Sequence, residues 1–256
     1  MIKIENVEVM GWEHAIRGAR NPMNSWEKSD TYIAEGHDDH SDFKYLDHIE
    51  GATTNWMTIG PNDHKLMMSL AKGGPVHAKY RRMIMVYADI TAPLYWWKEF
   101  DTYRVGVEKN SCSTMHKIHE KEFTLEDFSH EHLDGEHVCA NIGQETLAAW
   151  DVLYYTIKAL NYYREKYLEA KTKPMKEEGK RAELMKKYWW QMIQLLPSSY
   201  NQRRTVMMSY EALAAMRKDR KHHKQDEWRF GFCPWIESLP YSEIITVMSD
   251  KEEDND

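Results

Sequence analysis

The sequence predicts an α+β protein, because segments with the period of a strand and segments with the period of a helix both occur. Residues 2–10 alternate apolar and polar side chains, as a half-buried strand does. Residues 83–91 are rich in β-branched and aromatic side chains and predict a second strand, which Ala92-Pro93 ends. Residues 144–171 carry apolar side chains at every third or fourth position, which is typical of an amphipathic helix.

Other segments carry helix signals of the same kind. Residues 12–20 stop before a proline, and residues 64–72 lie between a potential cap, Asn62-Asp63, and a pair of glycines. An aromatic helix is predicted at 94–103 and another at 184–196. Large aromatic residues on the helices at 144–171 and 184–196 predict core packing and contacts between subunits of a homo-oligomer: Trp150, Tyr154, Trp189 and Trp190.

A further helix is predicted at residues 203–221, after the pair Leu196-Pro197. Ser198, Ser199 or Asn201 are suitable caps for it. The start of a helix offers free backbone N–H groups and the positive end of the helix dipole. The sequence therefore predicts an anion site at Ser198-Ser199.

Length and composition favour one globular domain. The chain has 256 residues, of which 42% are hydrophobic and 29% charged, enough to bury a sizeable core. We predict one domain over residues 1–245, with a loop insertion at about 24–60 and a disordered acidic tail at 246–256. The formal charge of −7 argues against nucleic acid as a main partner, although a local phosphate site needs only a few cations.

Cysteine usage and the first residues predict a cytoplasmic protein. Three cysteines cannot all pair within one chain, and none lies in a C-x-x-C motif, so three free thiols are expected. Glu5 and Glu8 stand where a secretory peptide needs an apolar run. No stretch of eighteen apolar residues occurs, so no membrane partner is expected.

The sequence contains two groups of potential metal ligands, and we assign neither of them as a metal site. Residues 37–48 hold four Asp and three His, but without a recognised ligand spacing, so a solvated loop is the favoured interpretation. Cys112, His116 and His119 have helical spacing, and His or Cys from 130–139 would complete a zinc site. Cys112 as a nucleophile beside His116 is a related alternative.

The most informative stretch is 83–120, where polar side chains follow the aromatic helix. Trp96, Trp97 and Phe100 are succeeded by Thr102-Tyr103-Arg104 and then by the polar segment 108–113. This concentration of polar groups beside aromatic residues predicts a pocket. The order A-P, aromatic helix, aromatic-Arg and Ser-containing segment resembles the signature region of the flavin-dependent thymidylate synthases, whose R-H-R motif corresponds to residues 102–104.

Two further segments resemble the same family, so that the likeness covers most of residues 1–245. The first is V-M-G-W-E-H-A-I-R-G-A-R at residues 9–20, a strand end followed by a helix with two arginines. The second is the pair Leu196-Pro197 followed by Arg220, Gln225 and Glu227 in the order of the family.

The resemblance implies a fold and an activity. The fold would be α+β with a central mixed or antiparallel sheet and a helical layer. The activity would be one-carbon transfer to carbon 5 of a pyrimidine deoxynucleotide such as dUMP. In this family methylenetetrahydrofolate supplies the methylene group, FAD carries the hydride, NADPH is a cofactor, and active sites form between subunits of a homotetramer.

The resemblance also assigns roles to individual residues. The catalytic candidates are Arg104, Tyr103, Ser111 and Cys112. The substrate-binding candidates are Arg104, Ser113, Arg220, Ser198, Ser199 and Glu99. The cofactor-binding candidates are His77, Thr102, Tyr103, Ser209 and Gln225. Arg104, Arg220 and the Ser198-Ser199 pair are predicted to converge on one phosphate.

Several positions depart from the family pattern. Thr102 and Tyr103 stand where the family has Arg and His, and Thr114 stands where it has the Arg after the signature Ser. An Arg position on the flavin side falls near Glu211, and this reversed charge opposes FAD in its usual pose. The alternative function is therefore a non-catalytic nucleotide-binding or assembly protein that kept the scaffold and lost the flavin site.

Overall fold

The computed structural model describes residues 2–35, 55–173 and 178–247. It confirms the α+β class, because helices and three small sheets alternate along the chain. The histidine- and aspartate-rich segment 37–48 and the acidic tail from residue 248 lie outside the described residues, so both stay predictions.

The largest sheet has four strands in the order β1-β4-β8-β5. Its strands are β1 (Lys3–Met10), β4 (Met85–Pro93), β5 (Val107–Ser111) and β8 (Asn201–Ser209). Alternate side chains of β4 are buried, which explains the β-branched and aromatic composition that predicted this strand. The strands predicted at 2–10 and 83–91 are therefore confirmed to within two residues at each end.

Two smaller sheets are antiparallel pairs. Strand β2 (Tyr32–Glu35) pairs with β3 (Asn55–Thr58), and β6 (Val138–Ile142) pairs with β7 (Glu145–Ala148). The described ends of the predicted insertion at 24–60 thus contain regular structure that the sequence did not predict. Strand β7 also takes the first residues of the helix predicted at 144–171.

Most observed helices lie where the sequence predicts them, but several of their ends differ from the predicted ones. The helix predicted at 12–20 is observed unchanged, and the aromatic helix ends three residues earlier than expected. The helices are α1 (Trp12–Arg20), α2 (Pro61–Lys72), α3 (Leu94–Phe100), α4 (Thr114–Lys117), α5 (Ala149–Thr172), α6 (Glu178–Leu195), α7 (Tyr210–Arg220), α8 (Cys233–Glu237) and α9 (Glu243–Thr246).

The helix predicted at 203–221 is wrong over its first seven residues. Residues up to Ser209 form β8, and α7 begins only at Tyr210. The side-chain oxygen of Ser209 caps α7 by accepting a hydrogen bond from the N–H of Ala212 at 3.2 Å. Strand β8 lies between β4 and β5, so its backbone has hydrogen-bond partners on both sides. This gain outweighs the local helix propensity of Gln, Arg and Met.

The cap predicted for α2 is also wrong. The helix starts earlier, with Gly60 as cap and Pro61 as its first residue. Asp63 is fully buried, and its carboxylate accepts a hydrogen bond from Nε of Arg20 at 2.5 Å. Asp63 therefore pairs α2 with α1 instead of capping its own helix.

The described chain divides into two compact units. The first contains residues 2–5, 89–102, 109–173 and 178–205, and the second contains 6–35, 55–88, 103–108 and 206–247. In the first unit, α5 and α6 pack against apolar side chains of the segment 118–128. The core of that packing is formed by Ile118, Phe123, Phe128, Leu153, Ile157, Leu160 and Met192.

The second unit has its own core, in which α1, α2, α7 and the C-terminal turns pack together. Tyr210 and Trp12 meet edge to face with ring centroids 5.3 Å apart. Further fully buried side chains are Met67, Ile84, Leu213, Met216, Trp228, Phe232 and Ile236. No helix of the described residues is long and apolar enough to cross a membrane.

Candidate functional site

The second unit holds a cluster of polar and aromatic side chains built on the predicted residues Tyr103 and Arg220. Nε of Arg220 donates a hydrogen bond to the Tyr103 hydroxyl at 3.0 Å, and that hydroxyl donates to the Asp219 carboxylate at 3.1 Å. The Arg220 guanidinium lies 5.6 Å from the Tyr103 ring centroid and 5.3 Å from that of Trp228. We call these four residues the Tyr103–Arg220 cluster.

The cluster is held by the end of α7. Asp219 and Arg220 are the last two residues of that helix, and Trp228 is a fully buried residue of the π-helical turn Glu227–Phe232. Two aromatic rings therefore fix the position of a cation at a helix C-terminus. Such a guanidinium is suited to recognise a phosphate or a carbonyl oxygen.

Electrostatics keep the Tyr103 hydroxyl protonated. Burial raises the pKa of Tyr103 above its usual value, and the Asp219 carboxylate raises it further, although Arg220 acts in the opposite direction. Tyr103 is therefore a neutral donor and acceptor near pH 7, whereas the family's histidine at this place can change its charge.

The other predicted residues of the second unit have different surroundings. Arg104 is exposed and makes no hydrogen bond or ion pair with any described residue, and His77 is exposed at the start of the turn Ala78–Arg82. Ser209 is buried and caps α7. The side-chain oxygen of Gln225 is buried and has no hydrogen-bond partner in the described chain.

The sequence did not single out a partly buried ion pair that includes Glu211, two residues after the predicted cofactor residue Ser209. Arg81 is 5% exposed, and its Nη1 lies 3.8 Å from Oε2 of Glu211 on α7. Nε and Nη2 of Arg81 have no hydrogen-bond partner within the described residues. The negative charge of Glu211, which we expected to oppose an anionic cofactor, is thus offset by Arg81.

The predicted serine and cysteine residues lie in the first unit. Ser111 ends β5, and Ser113 caps α4 by accepting a hydrogen bond from the N–H of His116 at 3.2 Å. The backbone of Cys112 is fixed on both sides, since its N–H donates to Arg203 and its carbonyl accepts from the Gln202 amide. All three side chains are exposed.

Ser198 and Ser199 do not cap a helix, so the anion site predicted there is not supported by a helix N-terminus. Their carbonyl oxygens accept hydrogen bonds from the N–H groups of Tyr95 and Ser129 at 3.0 Å and 2.8 Å. Both residues precede β8 in the first unit, whereas Arg104 and Arg220 belong to the second, and the predicted convergence on one phosphate stays a prediction.

Glu99 and Thr102 are joined locally at the end of α3. The hydroxyl and the N–H of Thr102 both donate to the Glu99 carbonyl, at 2.7 Å and 3.2 Å. Asp101, which follows α3, pairs with Arg204 and Lys109, each at 2.9 Å.

The residues weighed as a zinc site do not assemble. Within residues 2–35, 55–173 and 178–247, no three His, Cys, Asp or Glu side chains group as metal ligands would. His119 is buried and its ring lies 4.4 Å from that of Tyr167, whereas Cys112 is exposed.

The three cysteines are free, as the sequence predicts, and they differ in exposure. Cys112 and Cys139 are exposed, whereas Cys233 is buried and burial raises its pKa to about 11. We expect a thiol reagent at pH 8 to modify Cys112 and Cys139 rapidly in the native protein and Cys233 only after denaturation. Mass-spectrometric mapping of the labelled peptides checks this, and rapid native labelling of Cys233 would contradict it.

Three residues of the site lay beyond the sequence argument. Asp219 and Trp228 were not identified, because their meeting with Tyr103 depends on the packing of α7. Arg81 was visible only as one member of a basic run with Lys79 and Arg82. The run gave no signal as to which of its cations is buried.

Comparisons with known proteins establish the fold and leave the family open. No protein-family model matches the sequence, and no curated protein matches it. The fold is nevertheless ThyX-like, as alignments over nearly the whole chain show.

Two solved enzymes illustrate the likeness. Thymidylate synthase X (ThyX) from Helicobacter pylori, solved with FAD and dUMP, aligns over 96% of this chain and 100% of its own, at 13% identity and a TM-score of 0.56. The UMP/dUMP methylase PolB from Streptomyces cacaoi, bound with 5-Br dUMP, aligns over 97% and 96%, at 13% identity and a TM-score of 0.53.

Proposed function

We propose that this protein is a pyrimidine nucleotide C5 one-carbon transferase, a methyl- or hydroxymethyltransferase that uses methylenetetrahydrofolate. The observation that carries the proposal is the Tyr103–Arg220 cluster on a ThyX-like scaffold. The fold alone supports several functions, but a cation that packs beside two aromatic rings supports a binding site for an anionic, planar ligand. A dUMP-like nucleotide has both properties.

In this proposal Arg220 binds the nucleotide and Tyr103 holds Arg220 in place. The guanidinium has a fixed direction, because Nε donates a hydrogen bond to the Tyr103 hydroxyl and the ring of Trp228 packs beside it. A preorganised cation stabilises negative charge without a reorganisation cost during the reaction. Asp219 accepts a hydrogen bond from the Tyr103 hydroxyl, which leaves a lone pair of that oxygen to accept from Arg220.

The residues present fit FAD in charge, and we include it as a proposed cofactor. Arg81 offsets Glu211, and its Nε and Nη2 are donors with no hydrogen-bond partner in the described chain. When bound, FAD would supply hydride transfer. The residues proposed to hold it, all in the second unit, are His77, Tyr103, Ser209, Gln225 and Arg81. Methylenetetrahydrofolate and NADPH stay part of the proposal.

The proposal includes a homo-oligomer, a tetramer by family resemblance. Large aromatic side chains of α5 and α6 are partly exposed, with Trp150, Tyr154 and Trp190 between 37% and 49% accessible. Apolar surface of this kind supports contacts between subunits.

The second candidate function is a nucleotide-binding or assembly protein without catalysis. One observation favours it: the hydroxyl of Thr102, which stands where the family has arginine, is bonded to the carbonyl of Glu99 within its own turn. No cation replaces the arginine at that position of the chain.

Flavin loading and nucleotide binding separate the two functions. The purified chain is incubated with FAD, separated from free flavin and examined for flavin absorbance, and dUMP binding is measured by calorimetry on the same sample. We expect flavin to co-elute and dUMP to bind. Saturable dUMP binding by a colourless protein would favour the second function, and failure to bind either ligand would contradict both.

A further inference from the structure

The second unit contains a pocket whose lining includes no residue of the Tyr103–Arg220 cluster. It has a volume of about 390 Å³ and lies along α1 and the chain that follows it. Ile16, Arg17 and Arg20 line it from the helix, and Trp26 and Ser29 line it from the following segment. A cavity of this size accommodates a small organic molecule.

The aromatic wall of the pocket is fixed in orientation. Trp26 lies in the 3-10 turn Trp26–Lys28, and its indole N–H donates a hydrogen bond to Oδ1 of Asn21 at 2.8 Å. Half of the Trp26 surface is exposed. A large ring whose polar atom is already satisfied presents an apolar face on which a second ring can stack.

The polar wall is built around Arg20, whose side chain is 5% exposed. Its Nε is bonded to Asp63 and its Nη1 donates to the Ser25 carbonyl at 3.1 Å. Nη2 has no hydrogen-bond partner in the described part of the chain. A buried donor without a partner is costly, and an acceptor on a ligand removes that cost.

The charges of the lining cancel in pairs. Asp63 neutralises Arg20, and Glu13 lies one helical turn before Arg17, so that the lining holds a carboxylate on the same face of the helix as this second guanidinium. Ser29 uses its hydroxyl on Asp63. A net anion or cation would gain little here, whereas a neutral ligand with both an acceptor and a donor edge matches the arrangement.

We infer that this pocket binds a neutral, planar aromatic or heteroaromatic lactam. Its ring stacks on Trp26 and contacts Ile16. Its carbonyl oxygen accepts hydrogen bonds from Arg20 and Arg17, and its N–H donates to Glu13. This site does not depend on the proposed function, because none of its residues belongs to the Tyr103–Arg220 cluster.

The probe for this site is isoquinolin-1(2H)-one, a neutral bicyclic lactam, followed by saturation-transfer NMR titration of the full chain. We expect saturable binding. Isoquinoline should bind about tenfold more weakly, because the single lone pair of its ring nitrogen cannot accept from both arginines and it has no N–H to donate to Glu13. Trp26→Leu and Arg17→Gln, both at exposed positions, should each weaken probe binding about threefold to tenfold.

Trp190→Leu is the matched control, because Trp190 on α6 is similarly exposed and belongs to the other unit. It should leave probe binding unchanged, as should Arg220→Ala. Melting curves on every variant verify folding. Absence of saturable wild-type binding, equal binding by isoquinoline, or equal effects of Trp26→Leu and Trp190→Leu would overturn the inference, as would loss of probe binding in Arg220→Ala.

Discussion

Replacing Arg220 by alanine is expected to weaken dUMP binding by about tenfold to a hundredfold. A charge-assisted hydrogen bond contributes roughly 1.5–3 kcal/mol, which corresponds to that range of dissociation constants. Tyr103→Phe keeps the ring that packs on Arg220 but removes the hydroxyl that fixes Nε. We expect it to weaken dUMP binding by a smaller factor, about twofold to tenfold, as calorimetric titration can measure.

Arg217→Ala provides the matched control for this experiment. Arg217 lies on the same helix and carries the same charge, but its Nε is paired with Glu237 at 2.7 Å, outside the cluster. It should bind dUMP like the wild type. Unchanged affinity in Arg220→Ala together with a lowered melting temperature would assign Arg220 a structural role and defeat the nucleotide-site proposal.

Replacing Asp63 by alanine is expected to lower the free energy of unfolding by about 3–5 kcal/mol. The substitution leaves the Arg20 guanidinium buried without its counter-ion, and breaking a buried pair from one side has a cost of this order. It also removes the acceptor of the Ser29 hydroxyl and of the Thr31 N–H. Denaturant unfolding measured at pH 7 gives the difference directly.

The contribution of Asp63 to the free energy of unfolding should decrease at low pH and stay constant above the ordinary pKa of the carboxyl. Burial alone would raise the pKa of this carboxyl, but hydrogen bonds from Thr31, Ser29 and Arg20 hold it below its ordinary value of 3.8. A lowered folded-state pKa contributes stability that is complete above 3.8 and is lost as the pH falls through the folded value. The difference between wild type and Asp63→Ala should therefore shrink only below pH 3.8.

Glu169→Ala serves as the control for burial. Glu169 forms an ion pair with Lys166 at 2.9 Å, and its side chain is 62% exposed. Removing it should change stability by less than about 1 kcal/mol, because water screens exposed pairs. A similar loss in both variants would mean that the Arg20–Asp63 pair contributes no more than a surface pair.

Local patterns were sufficient for the elements whose period is uninterrupted. The alternation of residues 2–10 predicted β1, and the boundaries of α1 were predicted to the residue. The aromatic helix after Ala92-Pro93 was predicted in place and only its end was misplaced. In these segments the side chains that set the period are the same ones that become buried, so local and tertiary preferences agree.

The sequence predicted only some residues of the site, because their partners come from packing between distant segments. Tyr103 and Arg220 were identified from their order in the chain, and the structure brings them within hydrogen-bond distance. Their partners Asp219 and Trp228 were not, because neither residue has a distinctive spacing. Arg81 looked like a surface cation, and only the packing of its turn against α7 shows that it is buried near Glu211.

The sequence by itself determined the α+β class, the sheet strand before the aromatic helix and the positions of the principal helices. The tertiary structure alone decided that residues 201–209 form a strand and that Asp63 pairs with Arg20. A strand gains its backbone hydrogen bonds from neighbours distant in the chain, and a buried carboxylate is stable only where a distant cation meets it. Local sequence contains neither partner, so neither outcome could be read from it.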